Sequence, residues 1–68
     1  MQITLGRTIK KKHLVEHVGK PVHVMPVIGK SFTGFLLEVT QQGKDYIFVI
    51  EDKQYTCKDI VAFREVLH

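Results

Sequence analysis

Two histidines and a glutamate lie close together near the start of the chain, where His13 and His17 enclose Glu16. In an α-helix the two histidines would lie one turn apart on the same face. This H-x-x-E-H spacing is that of a metalloprotease zinc site, in which the glutamate is the general base. A catalytic site also needs a third protein ligand and a cleft, and the strand-rich remainder of the chain offers neither. We therefore predict a solvated helix face, with adventitious metal binding by His13 and His17 as the alternative.

The single cysteine, Cys57, is the other candidate for covalent or redox chemistry. Lys58 beside it would favour the thiolate, but an alternating apolar pattern around it favours a small buried side chain. No Ser/His/Asp arrangement stands out, and the pair Gly29 and Gly34 lacks the Lys-Ser/Thr that a phosphate-binding loop requires. His23 lies on an apolar strand, where a structural histidine is expected. We therefore predict no catalytic residue, no metal site, no cofactor and no small-molecule substrate, so an enzyme is not expected.

Positive charge is concentrated in the first part of the chain. Residues 1–20 contain five basic residues and one acidic residue, a net charge of +4, whereas residues 21–68 contain five basic and six acidic residues, a net charge of −1. Clustered cations neutralise phosphates and release counterions, which gives salt-dependent binding with little sequence preference, although a solvated face is the alternative. The chain lacks a clear exposed aromatic pair for base stacking, which weakens this hypothesis. The residues predicted to contact nucleic acid are Arg7, Lys10, Lys11, Lys12 and Lys20, with Lys30, Lys58 and Tyr55 extending the surface.

The alternative function is a protein-interaction or self-associating module without a nucleic-acid role. An exposed strand edge, for which Val22–Val27 is the candidate, would bind a partner by strand addition. The segment Tyr46–Ile50 is apolar at every position. This pattern predicts burial on both faces, either within the barrel or at a contact between subunits. Under this hypothesis the partner is another protein or a second copy of the chain.

The basic residues are predicted to lie on a short N-terminal helix, the helical arm at about residues 8–18. Thr8 is a candidate N-cap, and Leu14, Val15 and Val18 recur at helical spacing to form one apolar stripe. A glycine and a proline then end the helix. Because a helix of about ten residues is marginal alone, the arm must pack on the rest of the chain to persist.

From residue 21 onward the pattern is that of β-strands. A proline within the first of them predicts an edge strand or a bulge, and Gly34 predicts a bend at which the second strand passes from one sheet to another. Five short strands, of which the second is long and bent, predict a mainly β fold, a small closed five-stranded SH3-like or Sm-like barrel at about residues 21–67. The predicted strands are Val22–Val27, Ser31–Thr40, Tyr46–Ile50, Gln54–Cys57 and Ile60–Leu67.

Length and composition indicate a single domain over residues 1–68. A core of this size stabilises a fold by roughly 3–5 kcal/mol, so such chains often rely on disulfides, a metal or self-association. One cysteine excludes an intrachain disulfide, which fits a reducing compartment. No apolar run approaches the ~20 residues that span a membrane. No signal-peptide pattern is present either, so a cytoplasmic protein is expected.

Two families of small barrels share short motifs with this chain. The stretch from Val27 to Gly34 is similar to the first motif of Sm/Hfq-like proteins, but Cys57-Lys58 stands where Hfq has a Lys-His pair, so the uridine-binding set is incomplete. The stronger resemblance is to Veg, a family of small SH3-like proteins of Gram-positive bacteria associated with biofilm and developmental regulation. This resemblance implies an SH3-like fold and a regulatory role. The segments that carry it are Ile9–Lys12, Leu14, Val18–Lys20, Gly34–Glu38, Tyr46–Ile50 and Tyr55–Val61.

Overall fold

The structure is a computed structural model that describes residues 4–67. It consists of six β-strands and one short 3₁₀ helix, so the prediction of a mainly β fold is confirmed. In chain order the elements are β1 (Thr4–Ile9), the 3₁₀ helix (Lys11–His17), β2 (Pro21–Pro26), β3 (Phe32–Gln42), β4 (Asp45–Ile50), β5 (Lys53–Thr56) and β6 (Ile60–Leu67).

All the strands pair antiparallel in the order β1-β6-β2-β3-β4-β5. The two outer strands are β1 and β5, and no pairing within residues 4–67 joins them. The sheet is therefore not closed, and the closed five-stranded barrel predicted from the sequence is not confirmed. Strand β1 is additional to the five predicted strands, and it pairs with the edge of β6 that would otherwise be free.

The long third strand changes partner in its middle. Its first residues pair with β2 as far as Phe35, and from Leu36 onward it pairs with β4. Gly34 lies just before this change, and a Cβ atom there would come within 2.9 Å of Cγ2 of Ile50. The change of partner agrees with the predicted bend, and a glycine fits here because the side chains of Ile50 and Glu51 occupy the space that a Cβ would need.

The predicted helix at residues 8–18 is wrong in its beginning and in its type. Thr8 and Ile9 are the last two residues of strand β1. Ile9 pairs with Phe63 and is only 6% exposed. The segment that follows is a 3₁₀ helix rather than an α-helix. A short isolated helix is marginal, so strand pairing that buries an isoleucine outweighs the local helical pattern.

The 3₁₀ helix explains which of its side chains face the sheet. With three residues per turn, residues three apart lie in one row. Leu14 is fully buried, and Lys11 and His17 in the same row are half-buried. Val15 is exposed, so the predicted apolar stripe buries only Leu14. His13 is exposed in a different row from His17, so the two histidines do not share the face that an α-helix would have given them.

Strand β2 lies inside the sheet, between β6 and β3, with both edges paired. Of the two predictions for its proline, the edge strand is wrong and the bulge is confirmed, since the register with β6 shifts between Met25 and Pro26. A proline is tolerated at such a shift because no ladder donor is needed there. Strand addition along Val22–Val27 is consequently not available.

The core lies between the two halves of the bent sheet. Its centre is a contact between Phe48 and Phe63, whose rings meet edge-on with centroids 5.0 Å apart. Cys57 packs half-buried against this core, which agrees with its predicted role as a small apolar side chain. The buried residues are Ile9, Leu14, Val22, Val24, Leu36, Phe48, Ile50, Ile60 and Phe63.

No helix within residues 4–67 combines the length and the apolar character that crossing a bilayer requires.

Candidate nucleic-acid interface

The exposed cations of the first twenty residues form what we call the basic arm, made of Arg7, Lys10, Lys12 and Lys20. Arg7 lies on β1, Lys10 precedes the 3₁₀ helix, Lys12 lies within it, and Lys20 follows it. Arg7 and Lys10 line one shallow depression with His17, and Lys20 lines a second depression that also includes His17. The two depressions are therefore contiguous, and they bring cations from both ends of the 3₁₀ helix onto one surface.

Two carboxylates share this surface and lower its positive potential. Glu16 lines the first depression, and Glu65 lines both. Glu65 reaches the arm because β6 pairs with β1, and its side chain lies over Gly6. Local sequence patterns do not predict this arrangement, since Glu65 is 45 residues from Lys20. The pairing of Val22 on β2 with Glu65 on β6 brings Glu65 close to Lys20.

Lys11 does not belong to the free cations of the arm. Its Nζ donates hydrogen bonds to the backbone oxygens of Cys57 and Ile60, each at 3.2 Å. These carbonyls lie at the end of β5 and the start of β6, beyond the last pairing of β6 with β1 at Phe63. Lys11 thus donates to two backbone carbonyl groups 46 and 49 residues away, and this places it in a structural role rather than at the free surface where the sequence predicted a phosphate contact.

Replacing Lys11 with methionine is expected to destabilise the fold, because two half-buried carbonyl groups lose a charged donor. The expected loss is about 1–3 kcal/mol in the free energy of unfolding, measured by urea denaturation. Lys12→Met is the matched control, since it removes the same charge from an exposed neighbour and should change stability by less than about 0.5 kcal/mol. Equal losses in the two variants would contradict the structural role of Lys11.

The same hydrogen bonds hold Lys11 against the turn that contains Lys58. Lys58 is exposed in the turn between Cys57 and Ile60, the two residues whose oxygens Lys11 contacts. Asp59 shapes this turn, because its Oδ2 accepts from both the backbone nitrogen and the hydroxyl of Thr56. Lys58 itself lines a groove with Tyr55 and Val27, and no cation of the arm lines that groove.

Tyr55 and Lys30 contribute less to this surface than the sequence predicted. The Tyr55 ring is half-buried and packs near Phe32, with ring centroids 6.0 Å apart. It also lines a groove with Lys58, so part of the ring is accessible there. Lys30 is exposed in the loop between β2 and β3, away from the depressions that the arm lines.

The H-x-x-E-H spacing is formed by His13, Glu16 and His17 in the 3₁₀ helix. Within residues 4–67, no three or more His, Cys, Asp or Glu side chains are grouped so that they could hold a metal ion. His13, Glu16 and His17 line the same depression, but the two histidines lie in different rows of the 3₁₀ helix. The H-x-x-E-H spacing therefore has no structural counterpart as a zinc site.

Arg64, the remaining cation near the arm, is also structural. Its Nε and Nη2 donate to the backbone oxygen of Gly6 at 3.1 and 2.9 Å. Gly6 lies where the register of β1 with β6 shifts between Leu5 and Thr8, so its carbonyl lacks a regular ladder partner.

Comparison with protein-family models, with curated proteins and with solved structures found no match to this chain.

Proposed function

We propose that the protein is a non-enzymatic binding module that contacts the phosphate backbone of nucleic acid through the basic arm. The main support is a difference in hydrogen bonding among the Lys and Arg side chains. Within residues 4–67, Lys11 and Arg64 are the Lys and Arg side chains that donate hydrogen bonds to protein acceptors. The four cations of the arm are exposed and have their donors available for phosphate oxygens.

The expected mode of binding is electrostatic rather than base-specific. Four arm cations and Lys58 would neutralise a small number of phosphates, which gives moderate affinity that falls steeply with salt. Tyr55 is half-buried against Phe32, so base stacking contributes little beside the phosphate contacts. Glu16 and Glu65 further limit the affinity, because they repel phosphates that approach the depressions.

The finer architecture that supports this proposal is an SH3-like barrel with β1 as an added strand. The strand order from β6 through β2, β3 and β4 to β5, together with the bend in β3, is compatible with such a barrel. A regulatory role in the cytoplasm of a bacterium, as the resemblance to Veg implies, is part of the same proposal.

The double variant Lys10→Gln/Lys12→Gln is expected to weaken nucleic-acid binding and to reduce its salt dependence. Each cation removed should lower the slope of log K against log salt by about 1 in magnitude, so the pair should lower it by about 2. The measurement is fluorescence anisotropy of a mixed-sequence DNA duplex and of a single strand over a range of salt concentrations. Lys11 is left unchanged, because its loss would confound binding with folding.

Lys44→Gln/Lys53→Gln is the matched control for this experiment. It removes two exposed lysines and the same total charge, but from the turn before β4 and the start of β5. For this control variant, the slope of log K against log salt should remain near that of the parent protein. Absence of binding by the parent at low salt, or an equal effect of the two double variants, would contradict binding through the arm.

A further inference from the structure

The two depressions of the basic arm have no net charge while their histidines are neutral. Two cations line the first depression, Arg7 and Lys10, and two carboxylates line it as well, Glu16 and Glu65. The second depression is lined by one cation, Lys20, and by Glu65, which it shares with the first. The permanent charges of each depression therefore attract phosphate only weakly, because its carboxylates are as many as its cations.

Histidines supply the remaining ionisable groups of both depressions. His13 and His17 line the first depression, and His17 also lines the second. His13 is exposed and His17 is half-buried, so both rings are accessible from solvent. Imidazole is the side chain that ordinarily changes its charge between about pH 5 and pH 8. Protonation of both rings would give the first depression a net charge of +2 and the second a net charge of +1.

The charged groups that line the depressions beside the two rings come from several elements. The 3₁₀ helix also contacts β3, but no charged residue of β3 lines either depression. The other cations of the helix are Lys11, which donates to the backbone oxygens of Cys57 and Ile60, and Lys12, which lines neither depression. Titration of the histidines therefore decides how positive this surface is. The charged groups beside them are Arg7 on β1, Lys10 before the helix, Glu16 within it, Lys20 after it and Glu65 on β6.

We propose that His13 and His17 bind phosphate as imidazolium groups, so that nucleic-acid binding strengthens as the pH falls from about 8 to about 5.5. This inference rests on the proposed function, because it concerns the same interface. The sign follows from linkage. Phosphates stabilise the charged form of the ring, so the protonated protein binds nucleic acid more tightly and binding takes up protons.

His17 is expected to contribute more than His13, because it lies where the two depressions meet. Its imidazolium would lie between the cations at the start of the 3₁₀ helix, Arg7 and Lys10, and Lys20 beyond its end. A phosphate backbone that crosses the helix would then meet one continuous set of positive groups rather than two separate sets. His13 extends this set in the first depression alone.

Fluorescence anisotropy of a mixed-sequence DNA duplex at about pH 8 and about pH 5.5 tests the proposal, and lower pH is avoided because carboxyl groups titrate there. The parent protein is expected to bind about tenfold more tightly at the lower pH. The slope of log K against log salt should increase by about 2 in magnitude, since two phosphate contacts are added. The double variant His13→Gln/His17→Gln should bind with nearly the same affinity at both pH values.

His23→Gln is the matched control for the loss of an imidazole. His23 lies on β2, where its Nδ1 is 3.1 Å from the hydroxyl oxygen of Thr33, and it lines neither depression. This variant should respond to pH as the parent does. A parent that binds equally at both pH values, or a pH response that survives in His13→Gln/His17→Gln, would overturn the role of the two histidines while leaving binding through the arm intact. A parent that binds at neither pH would overturn the proposed function and this inference with it.

The variant His13→Lys/His17→Lys provides a second test that a loss of folding cannot imitate. Lysine stays charged over this pH range, so the variant should bind at about pH 8 as tightly as the parent binds at about pH 5.5. Its affinity should also depend little on pH. Binding by this variant at about pH 8 that is no tighter than that of the parent at the same pH would overturn the proposal.

Discussion

Phe63→Ala is expected to unfold the protein at room temperature. The Phe63 side chain is fully buried, and its ring meets Phe48 edge-on at the centre of the core. Truncating a buried phenylalanine to alanine costs about 3–5 kcal/mol through lost burial and the cavity that remains. The core of a domain of this size supplies roughly the same amount in total. Far-UV circular dichroism of the variant should therefore lack the β-sheet spectrum and show no cooperative thermal transition.

Phe35→Ala is the control that separates burial from the loss of an aromatic ring. Phe35 is about half exposed on the outer side of β3, so its truncation leaves the core intact. This variant should keep the sheet spectrum and a cooperative transition. If Phe63→Ala melts as Phe35→Ala does, the core contact between Phe63 and Phe48 does not hold the two halves of the sheet together.

Gly34→Ala is expected to destabilise the fold without unfolding it. The added Cβ would lie 2.9 Å from Cγ2 of Ile50 and 3.1 Å from Cγ of Glu51. Ile50 is fully buried and has little room to move, so the neighbouring strands must separate slightly. Overpacking of this kind costs about 1–3 kcal/mol. Since each kcal/mol shifts the melting temperature of such a domain by about 4–8 °C, thermal denaturation followed by circular dichroism will resolve the loss.

Gly43→Asn is the matched control for the glycine substitution. Gly43 lies in the turn between β3 and β4 with a φ of 60°, and nothing lies within 4 Å of a Cβ built there. Asparagine tolerates the left-handed region, so this variant should melt within a few degrees of the parent. A Gly34→Ala variant as stable as Gly43→Asn would contradict the close approach of β4 to the bend.

Much of the sheet could be predicted from the sequence, because its strands carry strong local patterns. The last strand was predicted at Ile60–Leu67, and the structure has it over the same residues. The bend at Gly34 was also predictable, since a glycine inside an apolar strand indicates a close approach. The first strand was not, because Thr4–Ile9 is a strand only through its pairing with β6, nearly sixty residues later.

The candidate interface was predicted less well than the fold. The sequence placed Lys10, Lys11 and Lys12 together as three equivalent cations. A 3₁₀ helix has three residues per turn, so Lys11 shares the inward row with Leu14, whereas its two neighbours remain exposed. The segment contacts β3, and a local pattern of ten residues does not contain this packing.

Local sequence patterns were enough to predict a mainly β chain, a bend at Gly34 and a net positive charge within the first twenty residues. Each of these follows from local side-chain chemistry: the alternation of apolar residues, the missing Cβ, and the count of charges. Two other features depend on long-range packing: strand β1, which pairs with β6, and the separation of Lys11 from the basic arm. These depend on pairings between residues far apart in the chain, whose energies no local pattern reports.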